Sequence, residues 1–358
     1  MLKDIYIDNY RRFINSKIVF GETALIAGKN GAGKTTLVSL LAKIKRFIIN
    51  TDSTGHIDGL VTFADLPHWR KSDRGRAETH FILTFSVSGT IYTYELKIQH
   101  NFLELKGRIS HEKLSIASDV LYEYDSVKEK NTSYVTTDDG REFSYGVDWN
   151  HSGLLVASRV CSKIRNFIEA ISNEFHIFIL APDSPARDKD SSQLDISGNN
   201  FSQWYSKMLQ RDIEVANGVL NSYKDFLPNV GRAFISDKGE FTISEKAEGK
   251  QQFEIAFSEL STGQQKLCIY YAIFKMLPDA STLVLDEFEN HLSPAELQPL
   301  YDLAQKEQDE RDLQIILVSH HHKTLNWYHD SALVFSLSGL PAHSKIDRYD
   351  PDDSCLTL

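Results

Sequence analysis

The sequence has few cysteines and no long apolar run, and both absences limit what the protein can be. Its 358 residues contain three cysteines that lie far apart and follow no metal-binding spacing: Cys161, Cys268 and Cys355. We expect free thiols in a reducing cytoplasm. No apolar stretch approaches the roughly 18 residues that a membrane span requires. The N-terminal residues alternate like a strand and do not resemble a signal peptide. The sequence therefore predicts a cytoplasmic protein that does not engage a membrane.

Positive charge and coiled-coil heptads are also scarce. Lys and Arg number 39 against 49 Asp and Glu, so the formal net charge is −10. This balance argues against a surface that clamps nucleic acid as a whole. One cluster, residues 69–76, in which Trp69 precedes four basic side chains, keeps nucleic-acid contact open beside the simpler interpretation of a solvated loop. No apolar heptad pattern is sustained, which excludes a long coiled-coil arm.

A phosphate-binding loop lies near the N-terminus. Residues 28–35 match G-x-x-x-x-G-K-S/T between a predicted strand at 22–27 and a predicted helix from Thr36. Glycines let backbone N–H groups turn toward phosphate oxygens, and the helix start adds partial positive charge. We predict that Lys34 reaches the β- and γ-phosphates and that Thr35 binds Mg²⁺. The residues predicted to bind ATP here are Gly28, Asn30, Gly31, Ala32, Gly33, Lys34, Thr35 and Thr36.

Two acidic residues end a predicted buried strand late in the chain. Asp286 and Glu287 follow the apolar run 282–285. Ligands bind at this end of strands in parallel sheets. We predict that Asp286 holds Mg²⁺ and that Glu287 is the general base that activates water. The alternative is that the two acids only end the strand, and the phosphate loop in the same chain argues against it.

Residues 260–265 precede a predicted helix just upstream of this strand. Ser261 is predicted to be the N-cap, with Gly263 and Gln264 in the first turn. Such a start offers a hydroxyl and free N–H groups to an anion, although an ordinary capped helix is the alternative. Two phosphate sites in one chain predict head-to-tail pairing, in which each copy covers the ATP of its partner.

A further predicted strand, 314–318, leads to His320, which we predict to hydrogen-bond the γ-phosphate. The run 320–322 of three histidines also invites a metal-site interpretation. We reject it because adjacent residues of an extended chain point in opposite directions and chelate poorly.

Together these motifs resemble the ABC-type ATPase superfamily. The matching elements are Walker A (28–35), the signature (260–265), Walker B (283–287), the D-loop (289–294) and the switch histidine (His320). The opening segment 5–13 is similar to the start of the non-transporter branch, which includes the structural-maintenance-of-chromosomes (SMC), RecF-like and OLD (overcoming lysogenization defect) ATPases. Residues 286–292 resemble the RecF/OLD side specifically, although Phe288 stands where proline is common. The resemblance implies that Arg11 or Arg12 contacts phosphate, and Arg12 is our candidate. No glutamine is assigned to the Q-loop of the family.

The resemblance implies an α/β fold, a P-loop NTPase with ABC-ATPase head architecture. This fold has a mixed central sheet, an antiparallel β-subdomain and a helical lobe. The pattern predicts a hairpin at 80–87 and 90–98 and a strand near 102–105 for the β-subdomain. The predicted parts are a nucleotide-binding lobe with the β-subdomain (1–150), a helical or insert region (151–257), a lobe with signature, Walker B and switch histidine (258–345) and a polar tail (346–358).

The resemblance further implies an ATPase that uses ATP and Mg²⁺ and switches as a homodimer or higher even-numbered oligomer. Residues 321–358 are too few for a nuclease domain. We therefore predict a separate effector protein, a nuclease or toxin, within a bacterial antiphage defence module. A DNA-repair ATPase of the RecF/SMC type that binds DNA directly is the main alternative. A regulatory module that never hydrolyses ATP and a transporter ATPase are further alternatives.

Overall fold

The computed structural model describes most of the chain. The described residues are 1–49, 56–67, 77–101, 103–128, 131–181, 193–211, 213–224, 227, 229–246, 252–319, 332–338 and 343–348. The chain divides into two compact units, one of residues 1–176 with 318–358 and one of residues 177–317. Among the described residues, no helix combines the length and apolar character that a membrane crossing demands.

The described residues form both strands and helices, and strands often follow one another directly. The strands are β1 (Leu2–Asp8), β2 (Ser16–Val19), β3 (Thr23–Gly28), β4 (Glu78–Val87), β5 (Thr90–Asn101), β6 (Lys106–Ile116), β7 (Asp119–Asp125), β8 (Thr132–Thr136), β9 (Glu142–Gly146), β10 (Phe175–Phe178), β11 (Val230–Ile235), β12 (Phe241–Lys246), β13 (Gln252–Ala256), β14 (Thr282–Asp286), β15 (Gln314–Val318), β16 (Ala332–Ser338) and β17 (His343–Arg348). The helices are α1 (Lys34–Ile49), α2 (Ile57–Leu60), α3 (Leu154–Ala157), α4 (Ser162–Glu174), α5 (Phe201–Arg211), α6 (Ile213–Tyr223), α7 (Thr262–Met276) and α8 (Pro294–Arg311).

An eight-stranded antiparallel sheet forms much of the first unit, in the order β2-β1-β4-β5-β6-β7-β8-β9. The predicted hairpin is confirmed, because β4 and β5 pair from Glu78–Gln99 to Val87–Thr90. Ser88 and Gly89 form its two-residue turn, both with positive φ (47° and 79°). Such turns match the right-handed twist of the two strands. Buried and half-buried positions alternate along β4, so one face of the strand packs into the core.

The strand predicted near 102–105 is wrong. The described residues 103–105 form a turn, and the next strand is β6. The Asn101 side chain accepts a hydrogen bond from the N–H of Leu103 at 2.9 Å. Leu105 has φ 55°, and Leu103 is 95% exposed. An asparagine that bonds the backbone two residues ahead favours a turn, so local side-chain chemistry overrode the apolar composition of this segment.

A buried carboxylate joins this sheet to the segment before α3. Glu112 on β6 is fully buried. Its Oε1 accepts from the Tyr94 hydroxyl at 2.8 Å and from Ser152 Oγ at 2.5 Å. Its Oε2 accepts from the Tyr122 hydroxyl at 3.0 Å and from the N–H of Gly153 at 3.1 Å. Burial raises the pKa of Glu112 above its usual value, although the four hydrogen bonds act in the opposite direction.

Behind the phosphate loop, the first unit contains part of a mixed sheet. β3 runs parallel to β16, and β16 pairs with β17 in the antiparallel direction. α1, which follows the loop, packs against α4. Lys45 on α1 donates to the carbonyl of Ser172 at 3.1 Å. The last carbonyls of a helix lack partners within it, so this ammonium satisfies part of the C-terminal end of α4. Burial lowers the pKa of Lys45 to about 8.

The second unit has an aromatic core and two long helices. β11, β12 and β13 form an antiparallel sheet, against which the side chains of α5 pack. Phe201 lies 5.1 Å from Phe241 and 5.0 Å from Phe257, measured between ring centroids. The Tyr223 hydroxyl donates to the carbonyl of Cys268 at 3.0 Å and ties α6 to α7. β14 and β15 are buried throughout, as their apolar sequences predict.

An ionic cluster fixes α7 on α8. Glu307 is 2% exposed. It accepts from Lys275 Nζ and, through Oε2, from Arg311 Nη1 at 3.3 Å. Arg311 Nε also pairs with Asp279 at 2.8 Å. Because removing one partner from a buried ion pair leaves an uncompensated charge, this cluster strongly constrains the packing of the two helices.

Candidate functional site

Two glycines of the phosphate loop are required by close neighbours. Gly28 has φ 134°, and a Cβ there would overlap the carbonyl oxygen of Phe335 on β16. Gly33 has φ 109°, and its Cβ would lie 2.8 Å from Ser344 Oγ and 3.1 Å from Phe13 Cζ. Only glycine combines this backbone conformation with so little space. The loop therefore lies tightly against the C-terminal strands of the first unit.

The rest of the loop has the form that the motif predicts. The N–H of Ala32 donates to the carbonyl of Lys29 at 3.2 Å, and Leu37 donates to Gly33 at 2.9 Å as the first bond of α1. The helix begins at Lys34, two residues before the predicted start at Thr36. Lys34 Nζ donates to the carbonyl of Lys29 at 3.0 Å and also to that of Gly28. The ammonium is thus held at the loop that it follows.

The remaining predicted loop residues differ in exposure. Asn30, Gly31 and Thr35 are exposed, and Thr36 is half-buried. These positions leave the hydroxyl of Thr35 accessible to a ligand at the start of α1.

Of the two arginines near β1, Arg11 is engaged in an ion pair. Its Nε lies 2.8 Å from Asp65 Oδ1, and Asp65 is 5% exposed. Arg12 is exposed, and its carbonyl accepts a hydrogen bond from the N–H of Ser344 at 2.9 Å. Arg12 therefore stays the predicted phosphate contact.

The signature segment forms the capped helix start that the sequence predicts. Ser261 is the N-cap of α7, and its side chain accepts from the N–H of Gln264 at 3.3 Å. Gln264 Oε1 in turn accepts from the N–H of Ser261 at 3.1 Å, which completes a capping box. A Cβ on Gly263 would lie 2.5 Å from the carbonyl oxygen of His291. The first turn of α7 thus packs against the segment that resembles the D-loop, while Ser261 is exposed.

The two acidic residues have different surroundings. Asp286 is the last residue of β14 and is 3% exposed. Glu287 has φ 48°, and its Oε2 accepts from Asn290 Nδ2 at 2.5 Å. The N–H of Asn290 also donates to the Glu287 carbonyl at 3.1 Å, which closes a turn. Sequence reasoning missed this role of Asn290, although its position three residues after Glu287 was a usable signal. Phe288 is buried and contacts Tyr301 edge-on at 5.1 Å, so the aromatic ring fills a core position.

A buried cation lies near the acidic residues. Lys266, 4% exposed, and Tyr270, 1% exposed, are four residues apart on one face of α7. Burial lowers the pKa of Lys266, while Glu287, Glu289 and Asp286 act to raise it. Burial raises the pKa of Tyr270 well above its usual value, and Glu289 and Asp286 raise it further. Sequence reasoning did not single out Lys266, because it stands directly before the apolar stretch 267–274 of α7.

The phosphate loop of the first unit has the chemistry that suits an anionic phosphate chain, because a turn of backbone N–H groups lies before a helix with an ammonium beside it. Each unit also carries an oxygen ligand of the kind that Mg²⁺ prefers: the first unit has the hydroxyl of Thr35, and the second has the carboxylate of Asp286. His320 lies outside the described residues, as does the basic cluster 69–76. The preceding residue, Ser319, donates its N–H to Ile26 on β3 at 3.0 Å.

The fold and these motifs define a nucleotide-binding P-loop ATPase. The family model described as "AAA domain, putative AbiEii toxin, Type IV TA system" matches residues 24–326. The chain belongs to this family.

Solved structures of SMC heads are similar to this chain. One, the SmcHead bound to the C-winged helix domain of ScpA, has a TM-score of 0.55 and 12% identity over 97% of this chain and 98% of that chain. The SMC head domain from Thermotoga maritima has a TM-score of 0.49 and 14% identity over 98% of this chain and 99% of that chain. No curated protein matches the chain. At such low identity the first likeness establishes an α/β ATPase-head fold and nothing finer.

Proposed function

We propose that this chain hydrolyses ATP as a head-to-tail homodimer or a higher even-numbered oligomer that acts as a switch. The observation that supports this proposal is that one polypeptide has two helix starts suited to phosphate. One is the loop before α1 in the first unit, and the other is the exposed, Ser261-capped start of α7 in the second unit. A chain with two such half-sites is complementary to a second copy of itself, and a twofold dimer then contains two equivalent sites.

In this proposal the loop binds the triphosphate and the partner copy covers it. Backbone N–H groups of 28–33 and the ammonium of Lys34 hold the phosphates, with Arg12 as a further contact. Ser261, Gly263 and Gln264 of the partner copy approach the γ-phosphate. A γ-phosphate that bridges two copies favours the closed dimer, and its loss removes that preference.

Hydrolysis is assigned to the residues after β14 and β15. Glu287 is the general base, and the hydrogen bond from Asn290 fixes its carboxylate. His320 hydrogen-bonds the γ-phosphate. Thr35 and Asp286 would hold Mg²⁺, which neutralises charge on the phosphates when bound.

Substituting Glu287 tests the switch directly. Glu287→Gln keeps the shape and an acceptor for Asn290, so it should fold, bind ATP and stop hydrolysis. In the presence of ATP and Mg²⁺ it should elute as a larger assembly in size-exclusion chromatography with light scattering, and Lys34→Ala should remain small. A Glu287→Gln protein that binds ATP but never changes in size would contradict the switch.

A second variant separates ATP binding from dimer closure. Ser261 is exposed, and loss of its N-cap costs only about 1 kcal/mol, so Ser261→Arg should fold and bind ATP at its own loop. The bulky side chain should block the covering of the partner's nucleotide and abolish the ATP-dependent size change. Ser118→Arg makes the same chemical change at an exposed turn before β7 and is the matched control. If Ser261→Arg dimerises as well as this control, the head-to-tail arrangement is refuted.

We further propose that the switch controls a separate effector, a nuclease or toxin, in antiphage defence. The family description refers to a toxin of a type IV toxin–antitoxin system, which supports a module of more than one component. For the closed dimer to dominate over the open state, ATP must bind the closed dimer more favourably than the open state by about 5 kcal/mol. Co-expression with the product of the adjacent gene tests the partnership. An effector should co-purify, and Glu287→Gln should change its activity, whereas full indifference of both proteins would count against this role.

A further inference from the structure

A serine near the end of the described chain contacts the phosphate loop. Ser344 on β17 is 3% exposed. Its Oγ donates a hydrogen bond to the carbonyl of Ala32 at 2.7 Å, although the two residues are 312 positions apart. Its backbone N–H donates to the carbonyl of Arg12 at 2.9 Å. One residue therefore links the strand β17, the loop and the turn after β1.

The bond to Ala32 fixes the direction of a loop N–H group. Ala32 C=O and Gly33 N–H belong to one planar trans peptide, so they point in opposite directions. Because Ser344 binds the carbonyl from the β17 side, the N–H of Gly33 is directed away from β17. A preoriented N–H group loses less freedom when an anion binds, and this improves affinity.

The same contact explains the tight packing at Gly33. Its missing Cβ would lie 2.8 Å from Ser344 Oγ, and Phe13 closes the other side at 3.1 Å. Phe13 is fully buried and contacts Phe335 edge-on, with 6.2 Å between ring centroids. The hydrogen bond from Ser344 and the ring of Phe13 thus both restrict the peptide that carries the Gly33 N–H.

We infer that Ser344 is a positioning residue for phosphate binding, which orients the Ala32–Gly33 peptide and anchors the turn that carries Arg12. This inference rests on the proposed binding of ATP at the loop. Ser344 does not touch the nucleotide in this scheme, and its effect passes through the backbone of Gly33. Its loss should therefore weaken ATP and ADP alike, since both carry the phosphates nearest the loop.

The test compares Ser344→Ala and Ser344→Cys with Lys345→Ala in the full chain. Cysteine has a similar size but is a weak donor, so it separates the lost hydrogen bond from lost volume. Lys345 is the exposed neighbour on the same strand. Calorimetry should show ATP and ADP binding weakened roughly three- to tenfold in both Ser344 variants. Lys345→Ala should bind like wild type. Equal affinity of Ser344→Ala and Lys345→Ala would overturn the inference.

Amide hydrogen exchange on the nucleotide-free protein separates this inference from the proposed function. The loop segment around Ala32 and Gly33 should exchange faster in Ser344→Ala than in Lys345→Ala, with unchanged exchange in β4 and β5. If wild type binds no ATP, the proposed function fails, and the exchange rates still decide whether Ser344 orders the loop. Identical loop exchange in the two variants would refute the positioning role, even if ATP binds.

Discussion

The fully buried Glu112 gives a prediction whose magnitude follows from its hydrogen bonds. Glu112→Gln keeps one acceptor oxygen and places an NH₂ group toward two of the four donors. If these are Tyr122 and Gly153, the tyrosine can still bond Ser133 Oγ, 3.1 Å away, whereas the N–H of Gly153 is orphaned. An unsatisfied buried donor costs about 1–3 kcal/mol. We therefore expect the free energy of unfolding to fall by about 2 kcal/mol in Glu112→Gln.

Glu112→Ala removes all four acceptor contacts and leaves a cavity. Tyr94, Ser152 and Gly153 then lose their acceptor together, so we expect a loss of about 4 kcal/mol or more, tempered by the removal of a buried charge. Urea unfolding followed by circular dichroism measures the midpoint and the slope. Glu123→Gln on β7 is the matched control, because this carboxylate is partly exposed and its ion pair within the described residues is with Lys128 at the surface. It should change stability by less than about 0.5 kcal/mol.

The outcome that would refute this reasoning is specific. A single net hydrogen bond contributes about 1 kcal/mol. If the free energy of unfolding of Glu112→Ala lies within about 1 kcal/mol of the wild-type value, the four donors must have found other partners or water, and the reasoning fails. An unchanged slope with a shifted midpoint would show that stability changed while the extent of unfolding did not.

Two other predictions concern titration and ion pairing. Burial lowers the pKa of His100 to about 4, and the ring bonds Thr79 Oγ1 at 2.9 Å. Because the unfolded pKa is near 6.5, the contribution of neutral His100 is complete above that pH and is lost toward pH 4. Between pH 7 and pH 5 it should fall by about 2 kcal/mol. His100→Leu should flatten this part of the stability profile measured by urea unfolding, and an unchanged pH slope would contradict the assignment. Glu307→Ala should lose about 2 kcal/mol, because the half-buried cations Lys275 and Arg311 lose the buried carboxylate that accepts from both, whereas the exposed Glu310→Ala should lose little. Equal midpoints for these two variants would show that the cluster does not stabilise the packing.

Local motifs were predictable because their chemistry is contained in a few adjacent residues. The phosphate loop, the Ser261 cap and the carboxylates at the end of β14 each follow from short-range geometry, and the structure has the loop, capped helix and strand end where the sequence predicts them. Catalytic roles for Glu287 and His320 stay predictions. The antiparallel hairpin was equally predictable, since the alternation of apolar and polar residues and a two-residue turn specify it.

Contacts between distant segments were not predictable. The sequence around Ser344 does not indicate that its hydroxyl contacts Ala32, because the two residues are 312 positions apart and no sequence motif links them. Lys266 was also missed, since helical periodicity does not reveal a cation among buried neighbours. The strand expected near 102–105 failed for the opposite reason, because one asparagine side chain redirected the backbone.

The glycine pattern of the loop has two separate causes, and only one concerns the nucleotide. Backbone approach to phosphate requires glycine in any such loop. In this chain Gly28 and Gly33 are also required by Phe335 and Ser344, which come from strands at the other end of the sequence. A shift of β16 or β17 would therefore change the loop even though neither strand carries a nucleotide-binding motif. Variants in these strands should be judged by phosphate affinity as well as by stability, because the two effects share the same contacts.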